Sequence, residues 1–308
     1  MKSLGKDDRL ALTAFCLWFL NPLTIWNSSM QGMFETLSIL GMVLSVACVL
    51  RGQNFFAGAC IVFAGITKLF PLILVPLMIG FIVAKHRNDR GVLKDLAMAS
   101  LGGVAMFALI FIPVALSGDF SQAFAFILNR MDSFDSGGGG LDLLHPSWNN
   151  IFAVLPVILT IIVILAIYMG MSTRDLEKRF LLLSTVGMCL LFAWPFFPPY
   201  HQYALNMIPL MILAYCAGYR VLITPIVLTS VLFFLAAFFW MGPEMLYPMA
   251  AGGYLSFDTI GQWMDALKQP MNSISNLMEY IKFVPALLAL ILIARPAVGN
   301  ALKRKVEL

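Results

Sequence analysis

Two ionisable residues, Glu35 and Lys68, stand in sequence that is otherwise apolar. Glu35 opens a run that continues to Leu50, and Lys68 interrupts the stretch between Phe55 and Ala84. An ionisable side chain at membrane depth costs about 2.5–3.5 kcal/mol on insertion scales, so it is usually partnered or functional. A carboxylate in the first turn of a helix suits the positive end of the dipole, the structural role open to Glu35. Lys68 is expected to offer its ammonium to a lipid phosphate. The other arrangement open to it is a snorkelling lysine paired with Glu35. Tyr200, His201 and Gln202 form a second polar cluster, suited to reading hydroxyls or a phosphate. Asp132, Asp135, Asp142 and His145 share one loop, but their spacing matches no known ligand loop and no metal site is assigned. The five cysteines form no CxxC pair, which points to small buried hydrophobes and not to a metal or disulfide framework.

The elements that must hold these residues are membrane helices. Hydrophobic residues make up 60% of the chain and charged residues only 12%, with a mean hydropathy of +0.88. An ordinary soluble domain carries about 25% charged residues. Apolar runs recur from end to end, so the predicted fold is all-α, a polytopic transmembrane bundle forming one integral domain over residues 1–308. Ten segments are predicted: Leu10–Leu23, Phe34–Leu50, Phe55–Thr67, Leu69–Ala84, Leu96–Leu116, Ile151–Met171, Phe180–Trp194, Tyr203–Ala217, Val221–Met241 and Phe283–Ala294. The third and fourth are short and form a tight hairpin, with Lys68 at its tip between Gly65 and Pro71.

Charge orients the bundle. Thirteen Lys and Arg residues fall in loops assigned to the cytoplasm, among them Arg51, Lys85, Lys178 and Arg179, against four on the other face. The N-terminal Lys2, Lys6 and Arg9 also fit inside, so both termini are expected to be cytoplasmic in a cell-membrane or endoplasmic-reticulum protein. Nine acids lie on the outer face, so the net charge of +4 is a membrane-anchoring pattern and implies no nucleic-acid partner. The N-terminus lacks the cleavage site of a signal peptide.

Between the segments, Asn21-Pro22 should stop or kink the first helix. Ser117–Asn150 is the longest polar stretch, and its four consecutive glycines predict a mobile loop, either a lid or an unspecific connection. Trp194–Tyr203 carries three prolines and five aromatic residues, a rigid interfacial belt. The cytoplasmic loops are too short for a nucleotide-binding domain, and neither a GxGxxG nor a P-loop motif is present.

Asn21-Pro22-Leu23-Thr24-Ile25, Ser29–Thr36, Ala57-Gly58 and Lys68-Leu69-Phe70-Pro71 occur in the order seen in one family. Across residues 15–80 the chain resembles the polyprenol-phosphate-sugar-dependent glycosyltransferases of GT-C type, in particular the catalytic subunit family of the first GPI mannosyltransferase. The resemblance implies a membrane enzyme moving a sugar, mannose by likeness, from a polyprenyl- or dolichyl-phosphate donor on the extracytoplasmic face. That lipid-phosphate sugar is the donor substrate, with no further cofactor implied and metal dependence open. Lys68 would stabilise the phosphate as the sugar leaves. Gln31, where the family has Arg, would join Lys68, Tyr200, His201 and Gln202 in binding substrate. The family's catalytic carboxylate sits in a large loop ahead of the NP motif, which this sequence does not show. The chain is therefore expected to be the C-terminal part of a longer transferase. A non-catalytic relative, or an enzyme using Glu35 or Asp142 as the base, also fits. Two other functions remain open: a transporter or flippase for a lipid-linked or small polar substrate, and a non-catalytic subunit with a small membrane partner.

Overall fold

A computed structural model describes residues 8–26, 35–86, 90–118, 148–170, 175–193, 201–241, 250–254, 256–263, 265–266 and 284–306. Every regular element among them is helical. In chain order these include α1 (Asp8–Phe19), α2 (Pro22–Ile25), α3 (Glu35–Leu50), α4 (Asn54–Thr67), α5 (Val75–Lys85), α6 (Val92–Leu116), α7 (Trp148–Gly170), α8 (Leu176–Phe192), α9 (Met207–Cys216), α10 (Ile223–Met241) and α11 (Val284–Val306). A 3-10 turn, Phe70–Leu74, leads into α5, and another, His201–Asn206, leads into α9. Each predicted segment thus has a helix. Among the described residues, however, only Val92–Leu116 is long and apolar enough to cross a bilayer by itself; α3, α4 and α5 fall in the 10–17-residue class. Each of the ten expected segments is helical among the described residues, while the lengths establish one span.

The chain divides into two compact units, one gathering the elements between residues 34 and 198 and the other those of residues 8–33 and 199–308. In the first, α3 and α4 form an antiparallel hairpin. Its turn is a Schellman closure, with Gln53 N–H donating to Cys48 C=O at 2.9 Å and Gly52 N–H to Val49 C=O at 3.1 Å. Gly52 supplies the left-handed residue this requires, at φ 75°. The two helices approach closely because the facing stripe is small and polar. Ser38 Oγ donates to Ala64 C=O at 3.1 Å, and Ser45 Oγ donates to Ala57 C=O at 2.8 Å. A Cβ on Gly41 between them would stand 3.0 Å from Ala64 Cβ and from Cys60 O.

The hairpin rests on α6 by the same device. A Cβ on Gly58 would land on the Ala99 carbonyl, and one on Gly102 would land on the Phe55 carbonyl. Two glycines on opposite helices therefore let the backbones touch, the contact membrane helices use where hydrophobicity alone gives no drive to associate. The other side of α6 (Leu93, Leu101, Val104, Leu109 and Leu116) is exposed. That is the face expected of a helix lying against lipid. On α5, Gly80 sits 2.6 Å, measured from an added Cβ, from the Ala166 carbonyl of α7.

In the second unit α9 is buried nearly all round, from Met207 to Ala214, as expected of an apolar helix in a protein interior. Asn21 holds the corner between α1 and α2. Its extended backbone suits the residue before proline. Its Oδ1 accepts from Leu23 N–H at 2.9 Å and Thr24 N–H at 3.4 Å, and Pro22 fills the first helical position, where no N–H is needed. Its Nδ2 donates to Ser230 Oγ of α10 at 2.6 Å, and Ser230 Oγ in turn donates to Ile226 C=O at 2.7 Å. Trp26 closes the corner edge-on against Phe234, with ring centres 5.7 Å apart.

Candidate functional site: the open end of the hairpin

Glu35 is the first residue of α3 and Lys68 follows the last residue of α4, so the antiparallel hairpin brings them to the same end. Lys68 Nζ lies 2.7 Å from Glu35 Oε1. Each charge stands where a helix dipole favours it, the carboxylate at an N-terminus and the ammonium at a C-terminus. The pairing with Glu35 is thus the arrangement that forms.

The backbone fixes both groups. Lys68 leaves the helix with extended dihedrals, φ −151° and ψ 136°. Its N–H still donates to Ala64 C=O at 2.8 Å, so the residue is tied to the last turn of α4. Ala64 C=O also accepts from Ser38, one turn along α3 from Glu35. One carbonyl thereby locks the carboxylate's helix to the ammonium's backbone. Pro71 opens the 3-10 turn that follows and prevents α4 from continuing through Lys68. Gly65 leaves room for the returning chain, because a Cβ there would meet the Leu72 side chain at 2.4–3.0 Å without the closest approach being backbone.

Burial separates the partners. The Glu35 side chain is 4% exposed and the Lys68 side chain 25%. The buried carboxylate is held through Oε1 by the ammonium. The ammonium keeps an exposed edge, from which it can contribute to holding an anion.

Of the other residues singled out in the sequence, Gln31, Asp142 and Tyr200 lie outside the described residues. His201 and Gln202 begin the 3-10 turn before α9, in the second unit. Among the described residues no three His, Cys, Asp or Glu side chains gather as a metal site would require. Sequence reasoning missed Ser38 and the Ala64 carbonyl; the signal available was Ser38 standing three positions after Glu35, on the same helix face.

The described fold is all-helical, with one helix long and apolar enough to cross a bilayer and a charge pair at the mouth of a short hairpin. Residues 2–132, under half of the chain, match the family model described as GPI transamidase subunit PIG-U. The match takes in the NPLTI corner, the α3–α4 hairpin and α6. The matching model describes a transamidase subunit and not the first GPI mannosyltransferase. No curated protein and no solved structure matches the chain.

Proposed function

We infer that this chain is a non-catalytic membrane subunit of an assembly acting on lipid-linked glycans of the GPI type. The observation that carries this reading is the match of residues 2–132 to the transamidase subunit PIG-U. The state of the Glu35–Lys68 pair supports it, because the carboxylate that a transferase would need as base is already bound to the ammonium. In this reading the chain spans the bilayer as a polytopic bundle of about ten segments with both termini in the cytoplasm, as the positive-inside pattern implies. Lys68 meets the anionic headgroup region of a lipid-linked substrate at the outer interface, with membrane partner subunits supplying the chemistry.

One observation favours a second reading, the sugar transferase using a polyprenyl-phosphate donor. Lys68 is a quarter exposed and stands at a helix break, where a donor phosphate would be met. The two readings part in one experiment. The full chain is tagged in its native membranes and purified in mild detergent. The subunit reading expects it to arrive in an assembly that exchanges a peptide amide onto hydrazine, while the isolated chain transfers no sugar from polyprenyl-phosphate mannose. Sugar transfer by the isolated chain, abolished by Glu35→Gln, overturns the subunit reading in favour of the transferase.

A further inference from the structure

The closed end of the α3–α4 hairpin carries a second polar site. Leu50 ends α3, and Phe81 and Lys85 lie on the last turns of α5. With Asp175 and the first residues of α8 (Leu176, Glu177 and Lys178) they line an open cleft of about 400 Å³. Its floor is apolar and its rim carries charges of both signs. Within a protein, opposite charges that face a common space usually close on each other. Here no ion pair joins Lys85 or Lys178 to Asp175.

Local structure keeps them apart. Lys85 is drawn toward the α3–α4 turn, where a Cβ on Gly52 would stand 3.0 Å from its Nζ. The amine therefore lies near the C-terminal carbonyls of α3, which favour a cation. Asp175 takes a left-handed backbone, φ 48° and ψ 41°, and is the one non-glycine residue with positive φ among those described. It precedes α8 in the capping position, yet its side chain caps nothing. A conformation that L residues avoid is thus retained with the carboxylate exposed beside the cleft.

A purely anionic ligand would be repelled by Asp175, and a purely cationic one by Lys85 and Lys178. The lining fits a molecule that carries both charges on a short polar body with an apolar continuation. The positive-inside pattern assigns this end of the hairpin to the cytoplasmic interface, where phospholipid headgroups supply such molecules. A primary ammonium can donate hydrogen bonds to a carboxylate, whereas a quaternary one cannot. We propose that this cleft binds the headgroup of an aminophospholipid, its phosphodiester between Lys85 and Lys178, its primary ammonium at Asp175, and the start of its acyl chains against Leu50 and Phe81. The site is separate from the Glu35–Lys68 end and holds whichever reading of that end is correct.

The test uses the full chain in nanodiscs of equal parts phosphatidylethanolamine, phosphatidylcholine and phosphatidylglycerol, released into detergent and read by native mass spectrometry. The wild type is expected to retain one phosphatidylethanolamine above the other two lipids. Lys85→Gln with Lys178→Gln, and separately Asp175→Asn, should lower that retention about tenfold, the loss of a charge-assisted contact. Asp175→Gly removes the carboxylate while easing the left-handed backbone, so lost retention there comes with an intact fold. Retention of phosphatidylglycerol or phosphatidylcholine equal to that of phosphatidylethanolamine overturns the assignment. So does unchanged retention in the variants, or displacement of the lipid by an equal concentration of free phosphoethanolamine.

Discussion

Asn21 and Lys68 lie in the two motifs that mark this chain, and each stands at a helix break, Asn21 next to Pro22 and Lys68 three residues before Pro71. Their polar atoms are used differently. Asn21 directs every polar atom of its side chain to nearby protein: Oδ1 to two backbone N–H groups and Nδ2 to Ser230. Both side-chain polar atoms of Asn21 are thus committed to the fold. Lys68 directs its amine to Glu35 and retains a quarter of its side-chain surface. A motif built around a break can therefore serve only to turn the chain, as in NPLTI, or to turn it and present a charge, as in TKLFP. The difference lies in what stands opposite: a hydroxyl that completes a hydrogen-bond chain in one case, a buried carboxylate in the other.

The comparison breaks most severely if the support beneath the hairpin is removed. Gly58→Leu or Gly102→Leu drives a side chain into a backbone carbonyl of the facing helix, which cannot move aside as a flexible side chain would. Overpacking ordinarily costs about 1–3 kcal/mol, and a backbone clash should reach or exceed the top of that range. Denaturant unfolding in detergent should show it, together with faster maleimide labelling of Cys48 and Cys60 at the α3–α4 seam. Labelling at the wild-type rate would mean that α6 does not clamp the hairpin.

The charge pair comes next. Removing one partner of a buried pair costs about 3–5 kcal/mol, and the partial exposure of Lys68 should bring Glu35→Gln nearer 2 kcal/mol. The double variant Glu35→Gln/Lys68→Met should lose less than the sum of the two single variants, because neither charge is then left alone. Additive losses in thermal unfolding would show that the two groups are stabilised independently. At the corner of the second unit, Asn21→Ala removes a cap and a buried hydrogen bond, with an expected loss of about 1–2 kcal/mol. Asn21→Asp should recover the capping share but not the bond to Ser230, and equal stability of Asp and Ala variants would remove the cap from the account. A loss of similar size is expected at the hairpin turn. Gly52→Ala places a Cβ in a left-handed residue and should cost about 1–2 kcal/mol, leaving the Glu35–Lys68 end unchanged by cross-linking.

The helices were largely legible because each is an apolar run with visible ends. The second run, expected at Phe34–Leu50, is helical over Glu35–Leu50, and the third, expected at Phe55–Thr67, over Asn54–Thr67. The pairing of Glu35 with Lys68 was legible as one of two arrangements, since both residues flank a hairpin and oppose each other in charge. What the sequence did not disclose was the partner of Asn21, which is 209 residues distant. Nor did it disclose the reciprocal glycines of α4 and α6, which have meaning only once two helices are placed face to face. The NPLTI motif pointed towards a family and, read alone, towards function; the structure gives it a capping role. Helix length is the feature hydropathy fixes least, because it marks apolar runs without asking whether each is tall enough for the bilayer.

That shortfall in height has a consequence. At 1.5 Å per residue, the 16 residues of α3 rise about 24 Å and the 25 of α6 about 37 Å, against a hydrocarbon layer of about 30 Å. Two neighbouring elements of such different reach impose opposite mismatches on the same lipids. Beside α6 the layer is satisfied by tilt; beside the hairpin it must dimple inward. In the proposed membrane-subunit reading, such a dimple would lower water and headgroups toward Lys68.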